Sequence, residues 1–337
     1  MYAARQLKGS NMELNEFLNK IKSAMEEYFS QTANISIQSV TKNNGIILQG
    51  IVITIKGNNV APTIYVDGFF REYKNGKTFG TIVNEIINIY EKNQLQDNVD
   101  MNFFLNYETV KQTIMFKLIN FKKNETLLKN VPHIKYLDLA IVFYSLLLND
   151  TFGSATILIH NSHLKLWNIT EDELYQSAME NTPKVLKPKI HNMEEIMREM
   201  LLDNLKREFM ESGEKLGEKA DEDMFESAVD KMLESICTDK EIPMYVLSNQ
   251  TKLNGASCIL YQNTIREFAS KREDDFYILP SSIHEVILVP AKECREPQLL
   301  PAMVREVNET QVMDEEILSD EVYYYSYGKN NIVCYLA

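Results

Sequence analysis

The chain has 337 residues, a formal net charge of −13, 45% hydrophobic residues and 25% charged residues. That length suffices for two or three domains, and the composition is typical of a soluble globular protein. No apolar run approaches the ~20 residues that span a bilayer, and an acidic chain argues against ordinary binding to the phosphates of nucleic acids. We therefore expect no membrane insertion and no direct contact with nucleic acid.

The four cysteines predict neither a zinc knuckle nor a redox motif, because no pair has C-x-x-C spacing. They are Cys237, Cys258, Cys294 and Cys334. Free thiols are typical of a reducing compartment, so we expect a cytoplasmic protein. The sequence of the opening segment 1–11, MYAARQLKGSN, resembles a vector leader, so Met12 is the expected natural start.

Residues 12–98 are expected to form an N-terminal α+β domain. Apolar residues at helical spacing predict a first helix, and an Asn-Asn-Gly sequence between two alternating apolar segments predicts a β-hairpin. A third strand and two helices complete an α-β-β-β-α-α unit. The predicted elements are 13–29, 35–40, 45–55, 63–67, 69–76 and 78–92.

Residues 99–191 are expected to form a middle α+β module. Strands are predicted at 114–120 and 155–160, and the apolar segment at 136–147 predicts one long strand between them. The sequence TEDE places Thr170 at the N-cap of a helix and Glu173 three residues later, which is the pattern of a capping box.

An acidic helical hairpin is predicted at 192–237, where 14 acidic and 6 basic side chains give a charge of −8. Two amphipathic segments are separated by a Gly-containing loop. The hairpin either packs on its own domain or offers a Met-rich face to a partner. The candidate partner-binding residues are Met193, Met197, Met200, Phe209, Phe225 and Met232.

Residues 238–337 are expected to form a C-terminal α+β module with a second acidic segment, 293–321, of charge −7. Both acidic segments fit solvated helix faces or, alternatively, a mimic of nucleic acid. The predicted elements are strands at 243–248, 257–261, 276–280 and 285–290, helices at 263–270 and 297–308, and a closing hairpin from 322 to 336.

A short internal repeat relates the middle and C-terminal modules. The segment GSATILIHNSH from Gly153 resembles GASCILYQNTI from Gly255, and each is expected to form a strand followed by a helix. Asn161 and Ser162 then stand where a small polar side chain caps the helix. The predicted fold is α+β: an N-terminal three-stranded α/β-sandwich-like domain, then two related strand-strand-helix modules with the acidic hairpin inserted.

Two histidines in the first copy of the repeat are a candidate metal site. His160 and His163 are three residues apart, which places both on one face if the segment is helical. The second copy has Gln262 and Ile265 at these positions, so a repeated catalytic site is disfavoured. The alternative is a half-buried histidine with hydrogen bonds.

The segment ILPSSIHEVILVP holds the residue types of a hydrolase. Ser281 or Ser282 would be the nucleophile, His284 its base and Glu285 the orienting group. Triads are seldom assembled within one tight turn, and no G-x-S-x-G elbow is present. The alternative is that the serines cap a turn between two strands.

No nucleotide-binding motif is present, since the sequence has neither G-x-G-x-x-G nor a P-loop. No cofactor is therefore expected. Three consecutive tyrosines, Tyr323 to Tyr325, could stack on bases, but aromatic residues in a strand more often pack in a sheet.

Several segments together carry a resemblance to a family. These are VTKNNGIILQG, PTIYVD, MFKLIN, VPHIKYLDLAIVFY, GSATILIHNSHLKLW, YILPSSIHEVILVP and LSDEVYYY. From residue 13 onward the chain resembles an uncharacterised bacterial family of unknown function, found in gut-dwelling gram-positive bacteria and often near mobile-element genes. The resemblance implies an accessory role but assigns no catalytic or binding residue.

The expected function is therefore that of a non-catalytic accessory or regulatory protein that binds another macromolecule through the acidic hairpin, and the expected partner is a protein. Two alternatives stay open. One is a hydrolase or metal-dependent enzyme that uses the serine and histidine candidates above. The other is an acidic mimic of nucleic acid. The sequence predicts neither the partner nor the oligomeric state.

Overall fold

A computed structural model describes residues 12–30, 32–55, 57, 61, 63–93, 102–149, 153–212, 218–236 and 242–336. The fold is mixed α+β, as predicted, with several antiparallel sheets. The predicted leader, Cys237 and the predicted boundaries near 98 and 237 lie outside the described residues. The chain divides into two compact units, of which unit 1 comprises 1–113 and 144–169 and unit 2 comprises 114–143 and 170–337.

The helices have the following bounds: α1 Leu14–Phe29, α2 Asp67–Lys74, α3 Phe79–Asn93, α4 Tyr107–Val110, α5 Glu125–Leu128, α6 Asn161–Trp167, α7 Glu171–Val185, α8 Met193–Ser212, α9 Glu218–Ile236, α10 Thr264–Arg272 and α11 Leu300–Thr310. The strands are β1 Ala33–Thr41, β2 Ile47–Ile55, β3 Thr63–Tyr65, β4 Ile114–Asn120, β5 His133–Tyr136, β6 Leu139–Asn149, β7 Gly153–Leu158, β8 Pro188–Asn192, β9 Tyr245–Asn249, β10 Phe276–Leu279, β11 Val286–Pro290, β12 Tyr323–Ser326 and β13 Asn331–Cys334. None of the helices within the described residues combines the length and apolar character that crossing a bilayer requires.

The predicted N-terminal elements are confirmed in unit 1. Strands β1, β2 and β3 form an antiparallel sheet in that order. The β1–β2 turn has Asn44 at φ 60° and Gly45 at φ 71°, the left-handed region that asparagine and glycine tolerate best. Apolar side chains from the sheet and from α1 and α3 form one buried core, which explains the alternation in the strands and the helical spacing in the helices. Its fully buried members include Phe17, Ile21, Met25, Ile51, Ile82 and Ile86.

The long strand predicted at 136–147 is wrong in its first part. The chain forms a hairpin there, because β5 ends at Tyr136 and β6 begins at Leu139. Leu137 adopts φ 53° in the turn, a conformation that a β-strand does not contain. An apolar run does not show where a buried strand reverses.

Unit 2 contains a six-stranded antiparallel sheet in the order β13-β12-β10-β11-β9-β8. Strand β8 was not predicted, and it spans the predicted domain boundary at 191–192. It pairs with β9 over five residues, from Pro188 opposite Asn249 to Asn192 opposite Tyr245. The sequence PKIHN is short and polar, so it lacks the apolar alternation that signals a strand, and pairing with β9 supplies the structure instead.

The strand predicted at 257–261 is wrong. Residues Gly255–Leu260 form a 3₁₀ helix, five of whose residues are buried. The corresponding segment of the first repeat copy is β7, so the two copies differ in structure. A buried segment of apolar and small residues fits either conformation by periodicity. In the 3₁₀ helix, Gly255 lies close beside Ser248 and the backbone of His284.

The capping box predicted for α7 is confirmed. The hydroxyl of Thr170 accepts the Glu173 N–H at 3.2 Å, and the Glu173 carboxylate accepts the Thr170 N–H at 2.8 Å. The two bonds satisfy backbone donors that the first turn of a helix otherwise leaves without partners. The sequence therefore predicted the start of this helix correctly.

Candidate functional site

The histidines at the start of α6 form its N-terminal cap. His160 is the N-cap residue, and its backbone N–H donates to the Nδ1 atom of His163 at 3.0 Å. This is the role that sequence analysis gave to Asn161 and Ser162, which are the first two helical residues. An imidazole whose Nδ1 accepts a hydrogen bond is neutral and carries its proton on Nε2.

Aromatic side chains surround the His163 ring in unit 1. Its centroid lies 5.0 Å from that of Phe104 and 5.6 Å from that of Trp167. The Trp167 indole N–H donates to the Phe104 carbonyl at 2.8 Å, which fixes the indole ring. Burial lowers the pKa of His163, and His160 lowers it further, because both disfavour a positive charge there.

The same geometry leaves the metal hypothesis without a ligand set. Within the described residues, no three His, Cys, Asp or Glu side chains come together in a group that could hold a metal ion. His163 Nδ1 is already bonded to the backbone, so it has no lone pair to offer. The arrangement of His160 and His163 serves the start of a helix.

His284 meets a carboxylate, although not the one considered in the sequence. Its Nε2 lies 3.5 Å from Glu316 Oε1, and its Nδ1 lies 2.9 Å from the Lys252 carbonyl oxygen. Both ring nitrogens therefore face oxygen acceptors. Glu316 is 32 residues away in the chain, so no local motif indicated this contact.

The serines beside His284 hold the backbone in place. The Ser282 hydroxyl accepts the His284 backbone N–H at 3.0 Å, and Ser282 pairs with Ile317 in an isolated β-bridge. The Ser281 carbonyl accepts the Leu318 N–H at 3.0 Å. These bonds support the turn-capping alternative. The His284 ring contacts Lys252 and Glu316, and neither serine is among these partners. Glu285 is half-buried just before β11.

A polar cluster in unit 2 was missed by sequence reasoning. Asp138 accepts hydrogen bonds from the hydroxyls of Ser319 and Tyr323, both at 2.6 Å. Tyr323 is fully buried, and its burial beside this carboxylate raises the pKa of its phenol far above the usual range. Buried polar side chains that satisfy one another in this way hold segments distant in sequence in register. The tyrosine predicted to pack in a sheet does so, as part of β12.

An acidic surface pocket of about 380 Å³ lies at the edge of β10 and β12. It is lined by Glu273, Asp274, Asp275, Tyr277, Ala291, Lys292 and Tyr324. The Asp275 carboxylate accepts the Tyr324 hydroxyl and the Tyr327 N–H, both at 2.7 Å. The Asp274 carboxylate accepts the backbone N–H groups of Asp275 and Lys292. The chain's own donors therefore engage these two carboxylates, and they tie adjacent strands together.

Helices α8 and α9 pack against each other, with apolar side chains in the seam. Phe225, Val229 and Leu233 recur every four residues on α9 and are buried, and the Phe225 ring lies 5.4 Å from that of Phe209. Two of the candidate partner-binding residues, Phe209 and Phe225, are thus used inside the hairpin. On one side of the seam Arg198 forms an ion pair with Glu226 and Asp230.

Five methionines of the hairpin, those whose side chains the structure describes, lie away from this ion pair. At about 100° per residue, every one of them is at least about 100° around its helix from the paired side chains. We call this surface the methionine side, and it comprises Met193, Met197, Met200, Met224 and Met232. Met193 and Met197 are half-buried. The other three expose 61%, 46% and 38% of their surface, respectively.

Met224 is the residue of this surface that sequence reasoning missed. It lies outside the apolar repeat of α9, so it was not counted with Phe225 and Met232. The signal that could have found it is that a large apolar side chain at an outward helical position is unusual in a chain this acidic.

The model of a family of unknown function, DUF5688, matches residues 14–327 of the chain. The chain belongs to the DUF5688 family. The matched range contains the α8–α9 hairpin and every candidate residue from His160 to Glu316. No curated protein and no solved structure matches the chain. Membership in DUF5688 therefore assigns no reaction, and the function has to be argued from the site.

Proposed function

We propose that this DUF5688 protein is a non-catalytic accessory or regulatory protein that binds another protein through the methionine side of the α8–α9 hairpin. The observation that supports this is the exposure of Met200, Met224 and Met232 on one small helical hairpin. Exposed large apolar side chains that cluster are typical of interaction surfaces, and methionine adapts its shape to different partners.

The catalytic alternatives receive less support from the geometry. The contacts of His160, His163, Ser282 and His284 are with backbone groups, aromatic rings and one carboxylate, and these contacts account for the positions of the four side chains. The hydrolase hypothesis is tested by the loss of any measured hydrolase activity in His284→Ala.

The setting that the resemblance implies suggests the class of partner. In the cytoplasm of a bacterium that carries a mobile element, an accessory protein would act on a host defence protein or a conjugation protein. The acidic-mimic alternative differs in one respect: its partner would bind DNA, and DNA would compete with the chain for it.

The test is an affinity capture that compares point variants rather than deletions. The native chain, Met200→Ser/Met232→Ser and the control Met303→Ser/Met313→Ser are each used as bait, with and without nuclease. Met303 and Met313 are also exposed, but they lie in the other acidic segment. We expect a stoichiometric partner with the native chain and the control and its loss with the hairpin variant. A partner retained equally by all three baits would contradict the proposal.

A further inference from the structure

We infer that the partner segment bound by the methionine side is a cationic amphipathic helix. This inference rests on the proposed function and adds the chemistry of the partner. It follows from the apolar character of the surface, the charge of the hairpin and the arrangement of both around Met200 and Met232.

The exposed methionines of the surface lie near the Arg198 ion pair of the hairpin. Arg198 on α8 lies opposite Glu226 and Asp230 on α9, which sets the level of one helix against the other. Met200 and Met232 each lie two residues beyond a member of this ion pair, or about 3 Å along the axis. Because α8 and α9 run in opposite directions, the two offsets add, and the side chains lie roughly 6–12 Å apart along the hairpin. One partner helix can span this distance of one to two helical turns.

The negative charge of the hairpin favours a positively charged partner. Helices α8 and α9 carry 13 acidic and 5 basic side chains, a net charge of −8. One of the five basic side chains, Arg198, is already paired with two carboxylates. Glu199 and Asp203, both exposed, flank Met200 along α8. A partner that covers Met200 and carries lysines or arginines at the rim of its apolar face would pair with these carboxylates.

The same charge disfavours the other occupants. A second copy of this chain would present the same −8 hairpin, so that self-association would bring like charges together. Nucleic acids and anionic lipid surfaces are repelled for the same reason. An amphipathic cationic helix satisfies both the apolar centre and the acidic rim, and its i, i+3, i+4, i+7 apolar residues suit a helical surface.

The experiment measures binding of defined peptides to the full chain by fluorescence anisotropy. The probe is a leucine–lysine peptide of about 18 residues with leucine at i, i+3, i+4 and i+7, a pattern that forms one apolar face. One comparison peptide has glutamate in place of every lysine, and another has the same composition with the leucines dispersed. Far-ultraviolet circular dichroism confirms that each protein variant is folded.

We expect the leucine–lysine peptide to bind and the two comparison peptides to bind at least about tenfold more weakly. Met200→Ser/Met232→Ser should weaken binding of the leucine–lysine peptide by at least about tenfold, because apolar contacts are lost. Glu199→Gln/Asp203→Asn should weaken binding of the same peptide and reduce the dependence of its affinity on salt concentration. Surface charges are screened over ~8–10 Å, so binding through these carboxylates is sensitive to salt. Met303→Ser/Met313→Ser should have no effect, although those residues also lie in an acidic segment.

Three results would overturn the inference: no binding of the leucine–lysine peptide, equal binding of the glutamate peptide, or binding that the hairpin variant leaves unchanged. Its failure is distinguishable from failure of the proposed function. If a native partner is captured through Met200 and Met232 but the leucine–lysine peptide does not displace it, the proposed function stands and the cationic helix is wrong. If Met200→Ser/Met232→Ser captures the same partner as the native chain, the proposed function fails.

Discussion

Gly255 has almost no room for a side chain, and Gly255→Ala is expected to destabilise unit 2. A Cβ atom there would lie 2.1 Å from Ser248 Oγ, 2.3 Å from the His284 carbonyl oxygen and 2.9 Å from the Asn249 nitrogen. Two of these three atoms belong to the backbone, so a change of side-chain rotamer cannot relieve the clash. The 3₁₀ helix at Gly255–Leu260 must then move away from β9.

The magnitude follows from two terms. Forcing an extra carbon into a packed interior costs about 1–3 kcal/mol. The Ser248 hydroxyl donates to the His284 carbonyl at 2.7 Å, and loss of that bond costs about 0.5–1.5 kcal/mol. The free energy of unfolding should therefore fall by about 2–4 kcal/mol. For a unit of about 200 residues this lowers Tm by roughly 4–16 °C.

The assay is thermal unfolding followed by circular dichroism, with Gly328→Ala as the matched control. Gly328 lies in the same unit and has no atom within 4 Å of the position of an added Cβ, so its substitution should change the free energy of unfolding by less than ~0.5 kcal/mol. The chain has two units and can show two unfolding transitions. The comparison therefore uses the transition whose midpoint temperature differs between Gly255→Ala and the native chain. If Gly255→Ala unfolds at the same temperature as Gly328→Ala, the close approach at Gly255 is wrong.

A double variant separates the two terms. Ser248→Ala alone removes the hydrogen bond but not the backbone contacts, so it should cost about 0.5–1.5 kcal/mol. Adding Gly255→Ala to Ser248→Ala should cost less than Gly255→Ala does in the native chain, because the nearest atom is gone. Fully additive effects would show that Ser248 and Gly255 do not interact.

Three further predictions concern single side chains whose surroundings shift their chemistry. Burial lowers the pKa of His163 below its usual 6.5, so the stability contributed by the neutral ring is fully present above pH 6.5 and is lost as the pH falls from 6.5 through the folded-state pKa. Trp167, the chain's single tryptophan, lies against this ring; its emission should fall with protonation at a midpoint below 6.5, and His163→Phe should abolish that titration. Tyr323→Phe removes the hydroxyl that Asp138 accepts and should lower the free energy of unfolding by about 1–3 kcal/mol in urea denaturation, whereas an unchanged midpoint would contradict the buried bond. Burial raises the pKa of Cys258 to about 12, so in the folded chain at pH 8 iodoacetamide should modify it only at the rate of unfolding, and rapid labelling would show that the thiol is exposed.

The elements that depend on local signals could be predicted from the sequence. The helix α1, the β1–β2 hairpin with its Asn-Asn-Gly turn and the capping box at Thr170 each rest on a pattern within about ten residues, and each is confirmed. Helical spacing also predicted α8 and α9.

The elements that depend on distant partners could not be predicted. Strand β8 forms because β9 pairs with it from 57 residues away, and PKIHN has no apolar alternation of its own. The segment Gly255–Leu260 reads as a strand by composition, but contact with Ser248 and His284 leaves it helical. The same limit applies to the site: the His284–Glu316 contact and the Asp138–Tyr323 bond join residues 32 and 185 positions apart.

The candidates for chemistry and the candidate for binding differ in how the fold uses them. Each catalytic candidate that the structure places in a hydrogen bond has a partner that explains its position: His163 caps α6, and Ser282 holds the backbone of His284. On the methionine side, Met200 and Met224 are exposed, whereas Phe209, Phe225 and their neighbours make the packing of α8 on α9. Exposing Met200 to water gains nothing for the hairpin, since an exposed apolar side chain contributes no burial to folding. Under the proposed function its contribution comes from a partner that covers it, and the acidic residues around it favour a cationic partner.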